Sequence, residues 1–128
     1  MEPRGVFVYG SLLPGERYHG VARAAGLRRA RPARLAGFRL YALPQGYPAA
    51  VPGRGVVEGA LFEFYDLARA LALLDAFEEG ELYRRRAVRV WTPDGPAVAW
   101  AYLAPAAVVA RRGGVPWPSP RWRGPRAG

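Results

Sequence analysis

The sequence predicts a single α+β domain built on a mixed or partly closed sheet. Three observations lead there. The 128 residues suffice for one domain and fall short of two, and 51% of them are apolar, enough for a packed core. The elements run strand, short helix, several strands, helix and strand hairpin, without the regular strand–helix alternation of a parallel sheet. Clusters of Pro and Gly separate the strand patterns, as turns require.

Residues 6–9 form an apolar run ended by Gly10, the pattern of a buried strand. The loop Gly10-Ser11-Leu12-Leu13-Pro14-Gly15 follows, bounded by glycines and broken by Pro14. Successive main-chain N–H groups in such a turn can converge on an anion without any side-chain charge. Residues 16–27 carry a short helix, with Val21, Ala24 and Ala25 at helical spacing. Residues 33–43 read as a strand kinked near Gly37, and 44–48 as a turn. A brief strand at 49–51 and a second turn at Pro52-Gly53-Arg54-Gly55 come next. Residues 56–65 are a strand with Val57, Leu61 and Tyr65 on one face and Phe62 and Phe64 on the other. Asp66 is a helix N-cap for residues 67–78. Strands at 84–92 and 97–103 form a hairpin around Pro93-Asp94-Gly95-Pro96. The domain thus spans 1–104, and the Pro-, Arg- and Trp-rich segment 105–128 either packs on it or is mobile.

The second helix holds the most informative side chain. With Leu67 at zero, Leu71, Leu74, Phe77 and Leu73 fall at about 40°, 340°, 280° and 240°, a broad apolar face. Glu78 lands at about 20°, inside that face, while Glu79 lies about 100° further round, towards solvent. A carboxylate facing a core is expensive unless it is paired or functional, and the helix C-terminus disfavours its charge. Both effects raise its pKa towards that of a general base. The rival expectation is that the helix stops early and Glu78 turns outward, or that an arginine of Tyr83-Arg84-Arg85-Arg86 pairs with it.

Composition removes many other chemistries. Cysteine is absent, all 19 basic residues are arginine, and His19 is the sole histidine. Disulfides, thiol nucleophiles and Schiff-base lysines are excluded, and a histidine-rich zinc site nearly so. Ser11 and Ser119 are the only serines, and nothing near either suggests a catalytic triad. If the protein is an enzyme, a carboxylate is left as the proton carrier. No apolar run is long enough to span a bilayer, and with no leader pattern the expected location is cytoplasmic. The net charge of +9 fits an arginine-rich, lysine-free composition better than a dedicated nucleic-acid surface.

At these segments the chain resembles the gamma-glutamylcyclotransferase-like family, particularly its gamma-glutamylamine cyclotransferase branch. The resemblance rests on Val6-Phe7-Val8-Tyr9-Gly10-Ser11-Leu12, on Val57-Glu58-Gly59-Ala60-Leu61-Phe62, and on Leu74-Asp75-Ala76-Phe77-Glu78 followed by Tyr83-Arg84-Arg85. It covers roughly residues 5–104. It implies a small mixed β-barrel flanked by helices, with a cavity between the turn and the glutamate. Carried over by position, it implies that Tyr9, Gly10, Ser11 and Leu12 hold the glutamyl end of a small γ-glutamyl substrate and that Glu78 is the metal-independent acid–base residue. Tyr83 is a further substrate-binding candidate, with strand packing as its ordinary alternative. The implied reaction closes the γ-glutamyl group onto its own α-amino nitrogen, giving 5-oxoproline and a free amine. The turn could hold the α-carboxylate, the developing oxyanion, or both. Tyr102 is expected to fill the core, and His19 to be exposed and inert. Three other readings stay open: an enzyme of the same fold in which Glu78 acts on a γ-glutamyl-protected metabolite within a biosynthetic route, a catalytically silent ligand-binding relative, and a nucleic-acid-binding module that stacks bases on Trp117 and Trp122. Neither the amine half of the substrate nor the oligomeric state is legible.

Overall fold

The computed structural model describes residues 2–78 and 80–124, so Glu79 and the last four residues lie outside the described residues. Strand β1 is Val6–Val8, helix α1 His19–Ala24, strand β2 Leu27–Ala42 and strand β3 Pro48–Phe64. Helix α2 is Leu67–Phe77, followed by β4 (Arg84–Thr92), β5 (Gly95–Leu103), α3 (Ala106–Arg111) and the two-residue β6 (Val115–Pro116). The strand order β3-β1-β5-β4-β2, with β2 also pairing β3, closes a five-stranded barrel, and β6 hangs on the outer edge of β2. The barrel is mixed because β1 runs antiparallel to β3 and parallel to β5.

The long β2–β3 ribbon departs from the sequence reading. Pro52-Gly53-Arg54-Gly55 is not a turn; β3 continues through it, and β2 begins at Leu27, six residues before the expected start. The expected kink is a register shift between Ala36 and Phe38, where Gly37 takes φ +85° and lets the ribbon bend. A single ribbon bent this way supplies two sides of the barrel. Its early half, 27–32, escapes an apolar reading because it is held by charge rather than by a core: Arg28, Arg29 and Arg31 all pair with Glu63 on β3, and the Arg31 side chain is only 12% exposed.

The barrel interior is filled by Phe7, Leu35, Leu40, Val57, Leu61 and Val90, faced by the small Ala97, Ala99 and Ala101 of β5. A second apolar layer joins the outer face of β1, β3 and β5 to α1 and α2 through Val6, Phe62, Phe64, Ala22, Ala70 and Leu74. On α2 the buried face is narrower than the spacing predicts. Ala70 and Leu74 are fully buried, whereas Leu73 is 43% and Phe77 38% exposed, because the layer beneath covers only the side centred on Leu74. Tyr65, expected on the Val57 and Leu61 face, lies one residue beyond β3 and is 77% exposed. The C-terminal segment, as far as residue 124, packs on the barrel: β6 pairs β2, the Glu58 N–H donates to the Pro120 carbonyl at 2.7 Å, and Trp122 is 5% exposed.

Candidate active site

Helix α2 delivers the glutamate. Asp66 caps it, its Oδ1 accepting the Arg69 N–H at 3.1 Å. Leu67, Ala70, Leu71 and Leu74 hold it against the barrel. The helix ends at Phe77, and Glu78 is the C-cap residue, its N–H donating to the Leu74 carbonyl at 2.9 Å. Its side chain nevertheless keeps the phase of the buried face and lines a cavity. Removal from water pushes the Glu78 carboxyl up from 4.5 to about 7. No described side chain is ion-paired or hydrogen-bonded to it; Arg85, the rival partner expected from sequence, is bonded to Asp75 instead.

Strand β1 delivers the turn. Tyr9 is buried, and its hydroxyl donates to the Tyr102 carbonyl at 2.6 Å while accepting the Ala50 N–H at 3.1 Å. That hydroxyl is therefore spent fastening β3 and β5, and Tyr9 meets the cavity with its ring and main chain. A Cβ on Gly10 would stand 2.7 Å from Pro48 Cγ, so only glycine lets the turn lie against the Pro48 wall. The turn's carbonyls are all occupied: Gly10 by the Leu13 N–H (3.0 Å), Ser11 by the Tyr18 N–H (2.8 Å) and Leu12 by His19 Nδ1 (2.8 Å). The N–H groups of Gly10, Ser11 and Leu12 donate to no acceptor among the described residues. His19 is thus not the inert exposed residue expected. Half-buried at the start of α1 and edge-on to Phe62, it holds the turn in shape.

Both pieces meet in one cavity of about 520 Å³, within the usual range for a small-molecule site. Tyr9, Gly10, Ser11, Leu12, Glu78 and Tyr83 all line it, so every candidate named from sequence shares a single hollow. The Tyr83 hydroxyl donates to the Pro48 carbonyl, and burial pushes the Tyr9 and Tyr83 hydroxyls up, keeping both as neutral donors. A shallower hollow of about 440 Å³ adjoins the first through Glu78, Gly80, Tyr83 and Tyr102, and adds Asp75, Arg85 and Trp100. Among the described residues, no three His, Cys, Asp or Glu side chains gather as metal ligands.

Sequence reasoning missed three parts of the cavity wall. Tyr47 ends the turn between β2 and β3 and Pro48 opens β3; the turn is legible in the sequence but carries no local sign that Pro48 packs on Gly10. Trp122 and Gly124 come from the C-terminal segment, anchored where the Gly124 N–H donates to Glu16 Oε1 at 2.9 Å. The Trp117 and Trp122 rings lie 4.7 Å apart and pack on each other. Tyr102, expected as core filling, is buried but also borders both hollows and donates to Asp75 Oδ1 at 2.7 Å.

The family model for gamma-glutamyl cyclotransferase, AIG2-like proteins matches residues 6–124. No curated protein matches the sequence. Among solved structures, the chain is similar to YkqA from Bacillus subtilis, with a TM-score of 0.68 and 25% identity over 91% of this chain and 38% of that one. It is similar to a protein from Arabidopsis thaliana, with a TM-score of 0.62 and 29% identity over 77% of this chain and 66% of that one. An AIG2-like protein from Mus musculus shares the fold over 96% of both chains, with a TM-score of 0.63 and 24% identity. The chain therefore spans well under half of the Bacillus protein and just under two thirds of the Arabidopsis one. It belongs to the AIG2-like gamma-glutamyl cyclotransferase family.

Proposed function

We propose that this family member is a cyclotransferase that releases 5-oxoproline and a free amine from a γ-glutamyl amine or γ-glutamyl peptide. One observation carries the reading. A half-buried carboxyl near pKa 7, without a cationic partner among the described residues, shares a cavity with a turn whose three N–H groups meet no acceptor among them. The substrate brings its own nucleophile, which suits a protein without cysteine or lysine.

In this mechanism the 10–12 turn receives the glutamyl end, and the cavity folds the chain back so that the α-nitrogen faces the γ-carbonyl. Such positioning supplies an effective molarity on the order of 10⁵ M or more. Glu78 takes a proton from the α-ammonium group as general base. The nitrogen attacks the γ-carbonyl carbon, and the turn N–H groups stabilise the oxyanion that develops. As the tetrahedral intermediate collapses, the bond to the departing nitrogen breaks and Glu78 returns the first proton to it. Glu78 then takes the second proton from the ring nitrogen and passes it to the freed amine, which leaves as an ammonium ion beside the neutral lactam. Tyr83 and Tyr9 shape the wall with their rings, since their hydroxyls are already engaged.

The test is 5-oxoproline release from a panel of γ-glutamyl amines and dipeptides, with Glu78→Gln beside the wild type. Loss of proton transfer lowers turnover by about 10²–10⁴-fold while the fold is retained. Turnover untouched by the substitution removes Glu78 from the mechanism. A panel in which nothing reacts, though members bind, turns the assignment to a silent ligand-binding relative.

A further inference from the structure

The shallower hollow beside Glu78 holds an arrangement that the reaction above does not use. Arg85 Nε and Nη2 donate to Asp75 Oδ1 and Oδ2 at 2.9 and 3.2 Å. The Tyr102 hydroxyl donates to the same Oδ1 at 2.7 Å, and the guanidinium carbon of Arg85 lies 4.4 Å from the Trp100 ring centroid. A forked pair, a tyrosine and an aromatic face thus fix one arginine in one place. Asp75 precedes Glu78 by three residues, so the two share a side of α2, and Arg85 borders the hollow that Glu78 also borders.

We infer that Asp75 is a positioning residue: it holds the Arg85 guanidinium off Glu78 and so keeps the proton carrier free of a cationic partner. The inference deepens the cyclotransferase reading, and rests on it only for the effect on turnover. The other described charged groups bordering the two hollows have contacts of their own. Glu81 takes Arg111 and Arg112 at 3.6 and 3.3 Å, Glu16 accepts the Gly124 N–H, and Arg17 lies over the Tyr18 ring. Burial keeps the hydroxyls of Tyr9, Tyr83 and Tyr102 protonated, leaving them neutral at the pH of interest. Among the described residues, Arg85 is the cation that borders the shallower hollow with Glu78. An arginine released beside a half-buried carboxylate would pair with it, hold it ionised and weaken it as a proton donor to the departing amine.

The charge arithmetic gives a signature that mere structural damage lacks. Glu78 is titrated in the free protein by carboxyl ¹³C NMR, its signal assigned by loss in Glu78→Gln, and 5-oxoproline pH–rate profiles are recorded in parallel. In Asp75→Asn the midpoint falls by about one pH unit or more, because Arg85 is released. In Arg85→Gln it rises by about one pH unit, because the Asp75 carboxylate stands uncompensated near Glu78. The double variant returns to the wild-type midpoint, and Arg85→Lys lies nearer wild type than Arg85→Gln. Shifts of the same sign in both single variants, or an unmoved midpoint in Asp75→Asn, overturn the inference. If Asp75→Asn does not fold, Arg85→Gln and the double variant decide it, because the rise and its cancellation need no released cation. Midpoints that move as stated without turnover in any variant leave the positioning role standing and count against the cyclotransferase reading. Turnover with unmoved midpoints does the reverse.

Discussion

Replacing Glu78 with glutamine should make the folded protein more stable above neutral pH. The carboxyl sits at about 7 in the folded state against an ordinary 4.5, entirely through loss of water. A raised folded-state pKa means that the native protein binds the proton more tightly than the unfolded chain. Below pH 4.5 the group is neutral in both states and glutamine gains nothing. Between 4.5 and 7 stability falls as pH rises, and above 7 the full penalty is present. At about 1.4 kcal/mol per pKa unit, that interval corresponds to about 3 kcal/mol. Cavity water screens part of it, so about 2 kcal/mol is expected in practice. For a domain of this size that is a Tm rise of about 6–10 °C. The assay is thermal unfolding by circular dichroism of wild type and Glu78→Gln at pH 4, 6 and 8. The difference should be near zero at pH 4 and grow monotonically with pH. A difference independent of pH, or a variant less stable than wild type at pH 8, would refute the claim that Glu78 is held out of water at a cost.

Three further outcomes follow from the same geometry. The kcat/KM profile for 5-oxoproline release should have an acid limb with its midpoint near the about 7 of the Glu78 carboxyl, and a limb near 4 would contradict the burial effect. Gly10→Ala forces the turn off Pro48 by placing a Cβ 2.7 Å from its ring; overpacking of this kind costs about 1–3 kcal/mol, read by denaturant unfolding, and KM should rise as the amide turn shifts. Asp66→Ala removes the α2 cap at about 1 kcal/mol and leaves turnover at 25 °C close to wild type, whereas Leu74→Ala, at a fully buried position, costs about 2–5 kcal/mol.

The parts of this molecule legible in its sequence are those whose information is local. The apolar run ending at Gly10, the Asp66 cap and the helical phase of Glu78 each depend on neighbours within a turn or two, and each is realised in the structure. What the spacing of α2 could not give is how wide a side its neighbours cover, so Leu73 and Phe77 sit at the margin. The Pro52–Gly55 stretch has the composition of a turn, but pairing with β2 on both sides of the bend overrides it. Placing β1 beside β5 joins residues more than ninety apart, and the Gly10–Pro48 contact and the Trp122 wall are equally non-local. No periodicity records such encounters. His19 differs: the Leu12 carbonyl it meets is only seven residues away, but lies in a loop whose shape no spacing pattern gives.

The three-residue β1 has a bearing on how the protein comes into being. Its amide turn and the glutamate end of α2 find a common hollow only once β1 is clamped between β3 and β5, through Val6 opposite Phe62 and Val6 opposite Trp100. A nascent chain emerging from the ribosome therefore carries its first strand unpaired on one side until the last barrel strand arrives, about a hundred residues later. Loop closure over such a span is slow compared with hairpin formation. The hollow between the turn and Glu78 therefore forms only after β5 has been made, and fragments stopping before residue 95 should lack it.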